Sequence, residues 1–175
     1  MRPTLRTSRL LLAPLEDRDL NALHAHWNDP NVARFLWDAN PVPLQTVASV
    51  IARSTQTFQT SGWGLWSLRL TADSLLIGVS GLCPFEHGEG VELLYSLTPS
   101  HQSQGLATEA ATAVLTYAFD TVALPEVIAT TDDDNTPSLR LLTRLGATPA
   151  PRIRVGPNTY PCFTIRPGYG CSRPL

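Results

Sequence analysis

Residues 101–109, HQSQGLATE, separate two segments whose apolar residues recur with different periods. The segment before them, 91–97, is an apolar run that ends at Leu97 and is typical of a β-strand. The segment after them repeats apolar residues at helical spacing from Leu106 onward. The stretch therefore predicts a strand, a tight loop and the start of a helix.

A loop that leads into a helix is well suited to bind an anion. The first backbone N–H groups of a helix have no intrahelical partner, and the helix dipole adds partial positive charge behind them. Gly105 suits such a site because a residue without a Cβ lets a phosphate approach the main chain closely. A plain turn is the commoner role of such a glycine, so the stretch alone leaves both roles open.

The composition is that of a globular chain. Of its 175 residues, 43% are hydrophobic and 16% are charged. No apolar run approaches the roughly 20 residues that a membrane span needs, and the run 10–12 is too short for a signal peptide. We therefore expect one domain over residues 1–175, no membrane partner and a cytoplasmic location.

Charge and cysteine content exclude several classes of function. The net charge is −2 and the 13 basic residues are all arginines, scattered along the chain, which argues against a nucleic-acid partner. The absence of lysine excludes a Walker-type phosphate loop, whose lysine contacts the phosphates. The three cysteines include no close pair, and neither His101 nor the spacing of Cys83 and His87 completes a metal site.

Periodicity predicts a mixed chain of about seven strands and about four helices. The predicted strands are 7–14, 65–70, 76–82, 91–97, 125–131, 152–155 and 160–165. The predicted helices are 16–28, 44–58, 104–120 and 136–146, with a short helical or irregular segment at 31–37 and a loose tail after Pro167. Strand 125–131 has to cross over and lie parallel with 91–97, so a βαβ unit surrounds the proposed anion site.

Two separated motifs resemble those of a known family. Residues 102–107, QSQGLA, resemble the Q/R-x-x-G-x-G/A acetyl-coenzyme A motif of the GNAT superfamily of N-acetyltransferases. Residues 107–110, ATEA, and 135–147 resemble two helix motifs of its RimJ/RimL-like subgroup. Shorter similarities follow the family order, at 7–12 (TSRLLL), 29–32 (DPNV) and 92–95 (ELLY). The resemblance implies the α/β (α+β) GNAT fold, a mixed and mostly antiparallel sheet with a V-shaped splay.

The resemblance also implies which residues bind acetyl-CoA. Backbone N–H groups of residues 103–108 would hold the pyrophosphate, and the pantetheine arm would lie between the strand ends near Leu97 and Thr131. The acetyl carbonyl would meet an N–H near Tyr95, and Asn135 would bind the amide arm. The implied cofactor-binding residues are Tyr95, Leu97, Gln102, Ser103, Gln104, Gly105, Leu106, Ala107, Thr108, Asn135 and Ser138. Many subgroup members have glycine in place of Ser103, which puts the phosphate contacts of this residue in question.

Acetyl transfer to an amine needs a proton acceptor for the amine and a proton donor for the departing thiolate. Glu92 is a carboxylate in an apolar strand, so burial could raise its pKa and make it a base, or it could be a surface carboxylate. Ser138 matches the family serine proposed as the acid, or it is a helix-capping hydroxyl. No tyrosine lies between Asn135 and Gly146, and Tyr95 is expected to be a packed strand aromatic.

Three functions remain open from the sequence. The first is an N-acetyltransferase that modifies the N-terminal amine of a protein or peptide. The second is the same chemistry on a small-molecule amine, such as an antibiotic, a polyamine or an amino acid. The third is a non-catalytic acyl-CoA-binding module that keeps the fold. Arg140 and Arg144 lie four residues apart on a predicted helix, where they either meet the cofactor's ribose phosphate or form a solvated face.

The amine acceptor is expected to meet the helices before Phe58 and the hairpin around Gly156, in a monomer or a homodimer. Trp27, Phe35 and Trp37 lie on those helices or their loops. Core packing is the commoner role of such aromatics, although they also suit the wall of a small-molecule site. The sequence predicts no metal ion for this chemistry.

Overall fold

In a computed structural model that describes residues 2–168, eight strands form one mixed sheet in the order β1-β2-β3-β4-β5-β6-β8-β7. The strands are β1 (Leu5–Arg6), β2 (Leu10–Pro14), β3 (Leu65–Leu70), β4 (Gly78–Pro84), β5 (Val91–Leu97), β6 (Val127–Thr130), β7 (Thr148–Val155) and β8 (Asn158–Ile165). The α-helices are α1 (Leu20–Trp27), α2 (Pro30–Leu36), α3 (Leu44–Ser61), α4 (Leu106–Asp120) and α5 (Thr136–Arg144). Within residues 2–168, no helix is long and apolar enough to cross a membrane.

The predicted fold class is confirmed, and the differences concern the number and ends of elements. The sheet has an additional short strand, β1, and the segment 31–37 forms most of helix α2. Strand β2 begins at Leu10 rather than Thr7 because the Thr7 hydroxyl accepts a hydrogen bond from the Leu10 N–H, 2.9 Å, and makes a turn there. The predicted tail after Pro167 lies outside the described residues apart from Gly168.

Several other boundaries differ: β4 spans Gly78–Pro84 rather than 76–82, α1 begins at Leu20 rather than Glu16, α3 ends at Ser61 rather than Phe58, and β6 is limited to Val127–Thr130. Two further differences have local reasons. Helix α4 begins at Leu106, after a Gly105 whose φ of 78° is left-handed and cannot belong to a right-handed helix. Strand β7 begins before the predicted 152–155, even though this adds Pro149 and Pro151. The strand tolerates these prolines because it lies at the sheet edge and its register shifts between Ala150 and Ile153.

The sheet opens between its two parallel strands. Strand β5 pairs with β4 along its whole length, from Gly78 opposite Leu97 to Pro84 opposite Val91. Its pairing with β6 is parallel, as predicted, and is limited to Glu92 opposite Ile128. Beyond that pair the strands diverge, and β6 pairs with β8 on its other side. The result is the predicted V-shaped gap, with the ends of β5 and β6 at its two arms.

Helices pack on both faces of the sheet and hold the gap in place. Trp66 is fully buried in the core cluster that contains α4, while its neighbour Leu65 belongs to the cluster of α1 and α3. Adjacent residues of a strand point to opposite faces, which explains this division. Ala110 and Ala111 are fully buried, so the small side chains of α4 bring this helix close to the sheet. The N-terminus of α4 is thereby fixed beside the end of β5.

Candidate active site

The V-shaped gap forms the floor of a cleft of about 780 Å³. Nearly all the site residues predicted from the sequence line it: Glu92, Tyr95, Leu97, Gln102, Ser103, Gly105, Leu106, Ala107, Thr108, Asn135 and Ser138. We call the side formed by residues 97–108 and α5 the loop half. We call the side formed by Trp27, Phe35, Trp37, Asp38, Thr131, Asp132 and Tyr160 the aromatic half. Glu92 lies between the two halves, where β5 and β6 part.

The loop half presents main-chain donors. Within the described residues, the N–H groups of residues 103–108 have no hydrogen-bond acceptor, and the first bonded amide of the helix is that of Glu109, 3.0 Å from the Gly105 oxygen. Ser103 and Gly105 both have left-handed backbones, with φ of 60° and 78°. This conformation favours glycine, and Ser103 adopts it with a side chain in place. The free donors and the helix dipole make this loop suitable for an anion without any lysine.

The two glutamines of the loop brace it from inside. The Gln102 side chain donates to the Leu97 oxygen over 2.9 Å, which fixes the loop to the end of β5. The Gln104 side chain donates to the Ser100 oxygen over 3.0 Å, and the main-chain oxygen of Gln104 accepts a bond from Arg9. Gln104 therefore contacts the protein and does not line the cleft with the other predicted site residues.

An ion pair that the sequence analysis missed supports the same loop. The guanidinium of Arg9 donates to Glu109 in the first turn of α4, 2.7 Å, and to the Gln104 oxygen, 2.9 Å. The hydroxyls of Thr7 and Ser8 donate to the same carboxylate. Burial would raise the pKa of Glu109, but these hydrogen bonds outweigh it and lower that pKa. The TSR and ATEA motifs, noted separately in the sequence, thus contact each other.

Glu92 has the environment expected of a base. Its carboxylate accepts a hydrogen bond from the Thr130 hydroxyl on β6 and lines the cleft. Burial raises the pKa of Glu92, while the Thr130 hydrogen bond and the nearby His87 lower it and the burial effect prevails. The thiol of Cys83, opposite Glu92 on β4, is protonated because burial raises its pKa to about 12. Glu92 is therefore a half-buried cleft carboxylate and not an ion-paired surface group.

Ser138 and Tyr95 form a hydroxyl pair at the start of α5. Their oxygens are 2.6 Å apart, and Ser138 is only 7% exposed. Burial raises the pKa of Tyr95 to about 12, partly offset by its bond with Ser138. The capping role belongs to Asn135, whose side-chain oxygen accepts the Ser138 N–H over 3.2 Å. The Ser138 hydroxyl therefore does not cap the helix. It bonds instead to the Tyr95 hydroxyl, although the Tyr95 side chain is expected from the sequence to pack in the strand.

Further predicted candidates also have defined positions. Arg140 and Arg144 are exposed, line the loop half and form no ion pair within the described part of the chain. His101 bonds to the Thr98 hydroxyl, 2.9 Å. Residues 2–168 contain no cluster of three or more potential metal ligands. Cys171 lies outside the described residues.

Helix α1 is attached to β5 by a buried histidine, which the sequence predicts only as a packed or solvated residue. His26 is 5% exposed, and its Nε2 lies 2.9 Å from the Ser96 hydroxyl. Burial lowers the pKa of His26 to about 4, partly opposed by Asp29, so the ring is neutral near pH 7. Trp27 follows it into the aromatic half and packs on Trp37 with ring centroids 5.3 Å apart. Only the fold reveals this link, because Ser96 lies far along the chain.

A row of free amides at a helix start, a gap between parallel strands and a half-buried carboxylate where these strands part define a site for an extended anionic ligand next to a carboxylate. The family model described as "Acetyltransferase (GNAT) domain" matches residues 9–148, and the chain belongs to this family of N-acetyltransferase enzymes.

Known proteins of this kind are similar to the chain along most of its length. The chain is 28% identical to the uncharacterized N-acetyltransferase YoaA of Bacillus subtilis over 147 aligned residues. These residues cover 83% of each protein. An acetyltransferase from Agrobacterium tumefaciens has a TM-score of 0.83 and 26% identity over 94% of both chains. The structure of RimL, a ribosomal L7/L12 alpha-N-protein acetyltransferase in complex with coenzyme A, has a TM-score of 0.77 over 94% of this chain and 98% of RimL. Its identity is 15%, so this similarity is one of fold.

Proposed function

We propose that the chain is one catalytic domain that transfers the acetyl group of acetyl-CoA to the N-terminal amine of a protein or peptide. The observation that carries this proposal is the continuous cleft, which leads from the unpartnered amides of residues 103–108 to the Glu92 carboxylate. A family of acetyl-CoA-dependent enzymes explains both ends of that cleft.

The residues of the loop half fit the cofactor. The N–H groups of residues 103–108 would donate hydrogen bonds to the pyrophosphate, since they have no other acceptor among the described residues. Arg140 and Arg144 are available to the ribose phosphate. The gap beyond Glu92 leaves room for an extended arm whose amide could meet the free side-chain nitrogen of Asn135. The bound acetyl-CoA would supply a thioester, which is an activated acyl group.

The chemistry assigned to the protein is proton transfer. The acceptor nitrogen attacks the acetyl carbonyl carbon, and Glu92 takes the proton that this nitrogen loses, directly or through water. An N–H near Tyr95 polarises the carbonyl. As the carbon–sulfur bond breaks, Ser138 gives a proton to the departing sulfur and Tyr95 passes one to Ser138 across their 2.6 Å hydrogen bond. The proton taken by Glu92 then returns to Tyr95 through solvent, which restores both groups. The amide and the free thiol are the products.

The acceptor is proposed from the shape of the aromatic half. Its walls come from α1, α2, the loop after β6 and the β7–β8 hairpin, and the cleft of which it is part has room for a chain end beside the cofactor arm. The fold shared with RimL, which is described as an alpha-N-protein acetyltransferase, supports the same choice. A small-molecule amine is the second candidate and requires no change in the chemistry.

Two measurements test the proposal. Calorimetry with acetyl-CoA tests the loop half, and absence of binding below millimolar concentration would contradict the assignment of the cleft. Thiol release with N-terminal peptides, polyamines, aminoglycosides and amino acids then tests the acceptor. Turnover on peptides supports the proposal, turnover on small amines alone replaces it with the second candidate, and binding without any turnover indicates a non-catalytic module.

A further inference from the structure

The loop after β6 carries three consecutive aspartates with unequal surroundings. Asp133 accepts two hydrogen bonds from Arg152 of β7, at 2.6 and 2.9 Å, and Asp134 pairs with Arg34 of α2 at 2.6 Å. These two pairs tie the walls of the aromatic half to one loop. Asp132 has no ion-pair partner within residues 2–168, is half-buried and lines the cleft.

A second carboxylate faces the same space from the other wall. Asp38 follows Trp37 at the end of α2, has a left-handed φ of 50° and lines the cleft. It also has no ion-pair partner in the described part of the chain. The pKa of Asp132 is raised by burial and further by Asp134, Asp38 and Asp133, while Arg34 lowers it. A bound cation would relieve this repulsion.

Each carboxylate is next to a buried hydrogen-bonding group that has no partner. Thr131, before Asp132, is 8% exposed and lines the cleft, and its hydroxyl has no partner in the described residues. Trp27, fully buried, and Trp37, before Asp38, also line the cleft, and their indole N–H groups have no acceptor within residues 2–168. An unpaired buried donor is costly, and these groups lie just beneath the cleft wall, so a shift of their side chains would let them bond to the acceptor oxygens of a ligand. The aromatic half therefore suits a ligand that combines a positive charge with carbonyl groups.

The positive charge cannot be that of the reacting amine. That nitrogen has to be neutral to attack, and a carboxylate that paired with it would favour its protonated form. Glu92 is the group assigned to remove its proton. The charge that Asp132 and Asp38 would bind therefore belongs to a different group of the acceptor.

We propose that Asp132, together with Asp38, binds the side chain of an arginine or lysine within the first two residues of the acceptor peptide. Binding would shift the side chains of Trp27, Trp37 and Thr131 so that their indole N–H and hydroxyl groups donate to its main-chain carbonyls. This inference rests on the proposed function and adds a preference for basic chain ends. Asp132 and Asp38 are then specificity-determining residues.

The test compares peptides that differ in one charge. Peptides with arginine at the first or second residue are each paired with the same peptide carrying citrulline, which keeps the shape and removes the charge. We expect kcat/KM to favour arginine by about tenfold in at least one pair, as one charge-assisted hydrogen bond would give. Asp132→Asn should abolish this preference and Asp38→Asn should reduce it. Asp120→Asn, an exposed aspartate at the end of α4, removes the same charge away from the cleft and should keep it.

The outcomes separate this inference from the function on which it rests. Affinity for acetyl-CoA, measured by calorimetry, should equal that of the wild type in all three variants and shows that each is folded. Equal rates on arginine and citrulline peptides would overturn the inference and leave peptide acetylation intact, as would a preference that survives in Asp132→Asn. Acetyl-CoA binding without acetylation of any peptide would overturn the proposed function, and the inference with it.

Discussion

The loop half and the aromatic half of the cleft differ in which atoms face the ligand. In the loop half these are main-chain amides of consecutive residues 103–108, held by Gln102, Gln104 and Arg9 behind them. In the aromatic half they are side chains from α1, α2, the loop after β6 and the β7–β8 hairpin. A main-chain site depends on backbone conformation and tolerates many side chains, whereas a side-chain site changes with each substitution. The loop half can therefore bind the same ligand across a family, while substitutions in the aromatic half change which acceptor binds.

The two halves also differ in charge. The loop half combines the positive end of α4 with Arg140 and Arg144 and suits an anionic ligand. The aromatic half carries Asp38 and Asp132 without ion-pair partners among the described residues. Opposite potentials along one cleft would guide a polyanionic cofactor and a cationic acceptor to their own ends. Glu92 lies between them, and its proposed role is to transfer a proton rather than to bind either ligand.

The largest expected effect comes from the residue between the halves. Glu92→Gln removes the proton acceptor and should lower turnover by about 100-fold, a typical contribution of general base catalysis. The affinity for acetyl-CoA should stay unchanged, because Glu92 lies outside the loop half. Steady-state thiol release and calorimetry measure the two quantities.

The pH profile gives the control for this variant. Glu92 has to be deprotonated to act, so the wild-type rate should fall as the pH decreases through its raised pKa, above the ordinary carboxylate range. The acceptor amine, which must be neutral, titrates separately at about pH 8, so Glu92→Gln should keep that limb and lose the second one at lower pH. An equally active variant that keeps both limbs would assign the base to another group.

A smaller effect, confined to the loop half, is expected from Gly105→Val. A β-branched residue is strained at a φ of 78°, and a Cβ there would meet only the Arg9 guanidinium, at 3.6 Å. Backbone strain rather than crowding should therefore displace the amides and weaken acetyl-CoA binding by about 30-fold, within the few kcal/mol that such strain costs. Calorimetry measures the affinity.

Gly62→Val is the matched control for Gly105→Val. Gly62 has a φ of 80°, ends α3 far from the loop and would have no atom within 4 Å of an added Cβ. Both variants should lose thermal stability, but only Gly105→Val should lose affinity for acetyl-CoA. Equal affinity in the two variants would contradict the loop assignment.

The sequence predicted the loop half because its features are local. A glycine before an alanine-rich helix and an adjacent strand identify the amides without any tertiary information. The family resemblance added Asn135 and Ser138, and the structure brings both into the cleft. Gln104 differs because its side chain turns back to the Ser100 oxygen, while Arg9, far away in sequence, bonds to its main-chain oxygen. Local pattern gives the position of a main-chain site but not the side chains that brace it.

The aromatic half was not predictable in the same way, because its parts meet only in the folded sheet. Asp38 and Asp132 come from elements on opposite walls of the cleft. The bond between His26 and Ser96 joins α1 to β5 across a similar separation. Periodicity identifies each element but not which of them face each other, so a carboxylate pair of this kind stays invisible until the topology is known.

The smallest expected effect tests how firmly the loop half depends on its bracing. Arg9→Met removes the side-chain bonds to Glu109 and to the Gln104 main-chain oxygen. Glu109 keeps its bonds from the Thr7 and Ser8 hydroxyls but loses its ion-pair partner, which leaves a net negative charge at the start of α4. Acetyl-CoA affinity should fall about fivefold, as for the loss of one hydrogen bond, and high salt should reduce the difference by screening the exposed charge. Adding Glu109→Gln should restore part of the affinity, because the two residues act on each other.

Arg166→Met, which breaks a similar surface pair with Glu126, should leave the affinity unchanged. If Arg9→Met binds acetyl-CoA as tightly as the wild type, the main-chain site keeps its conformation without the bracing side chains. The loop half would then depend on side chains even less, relative to the aromatic half, than the bracing contacts indicate.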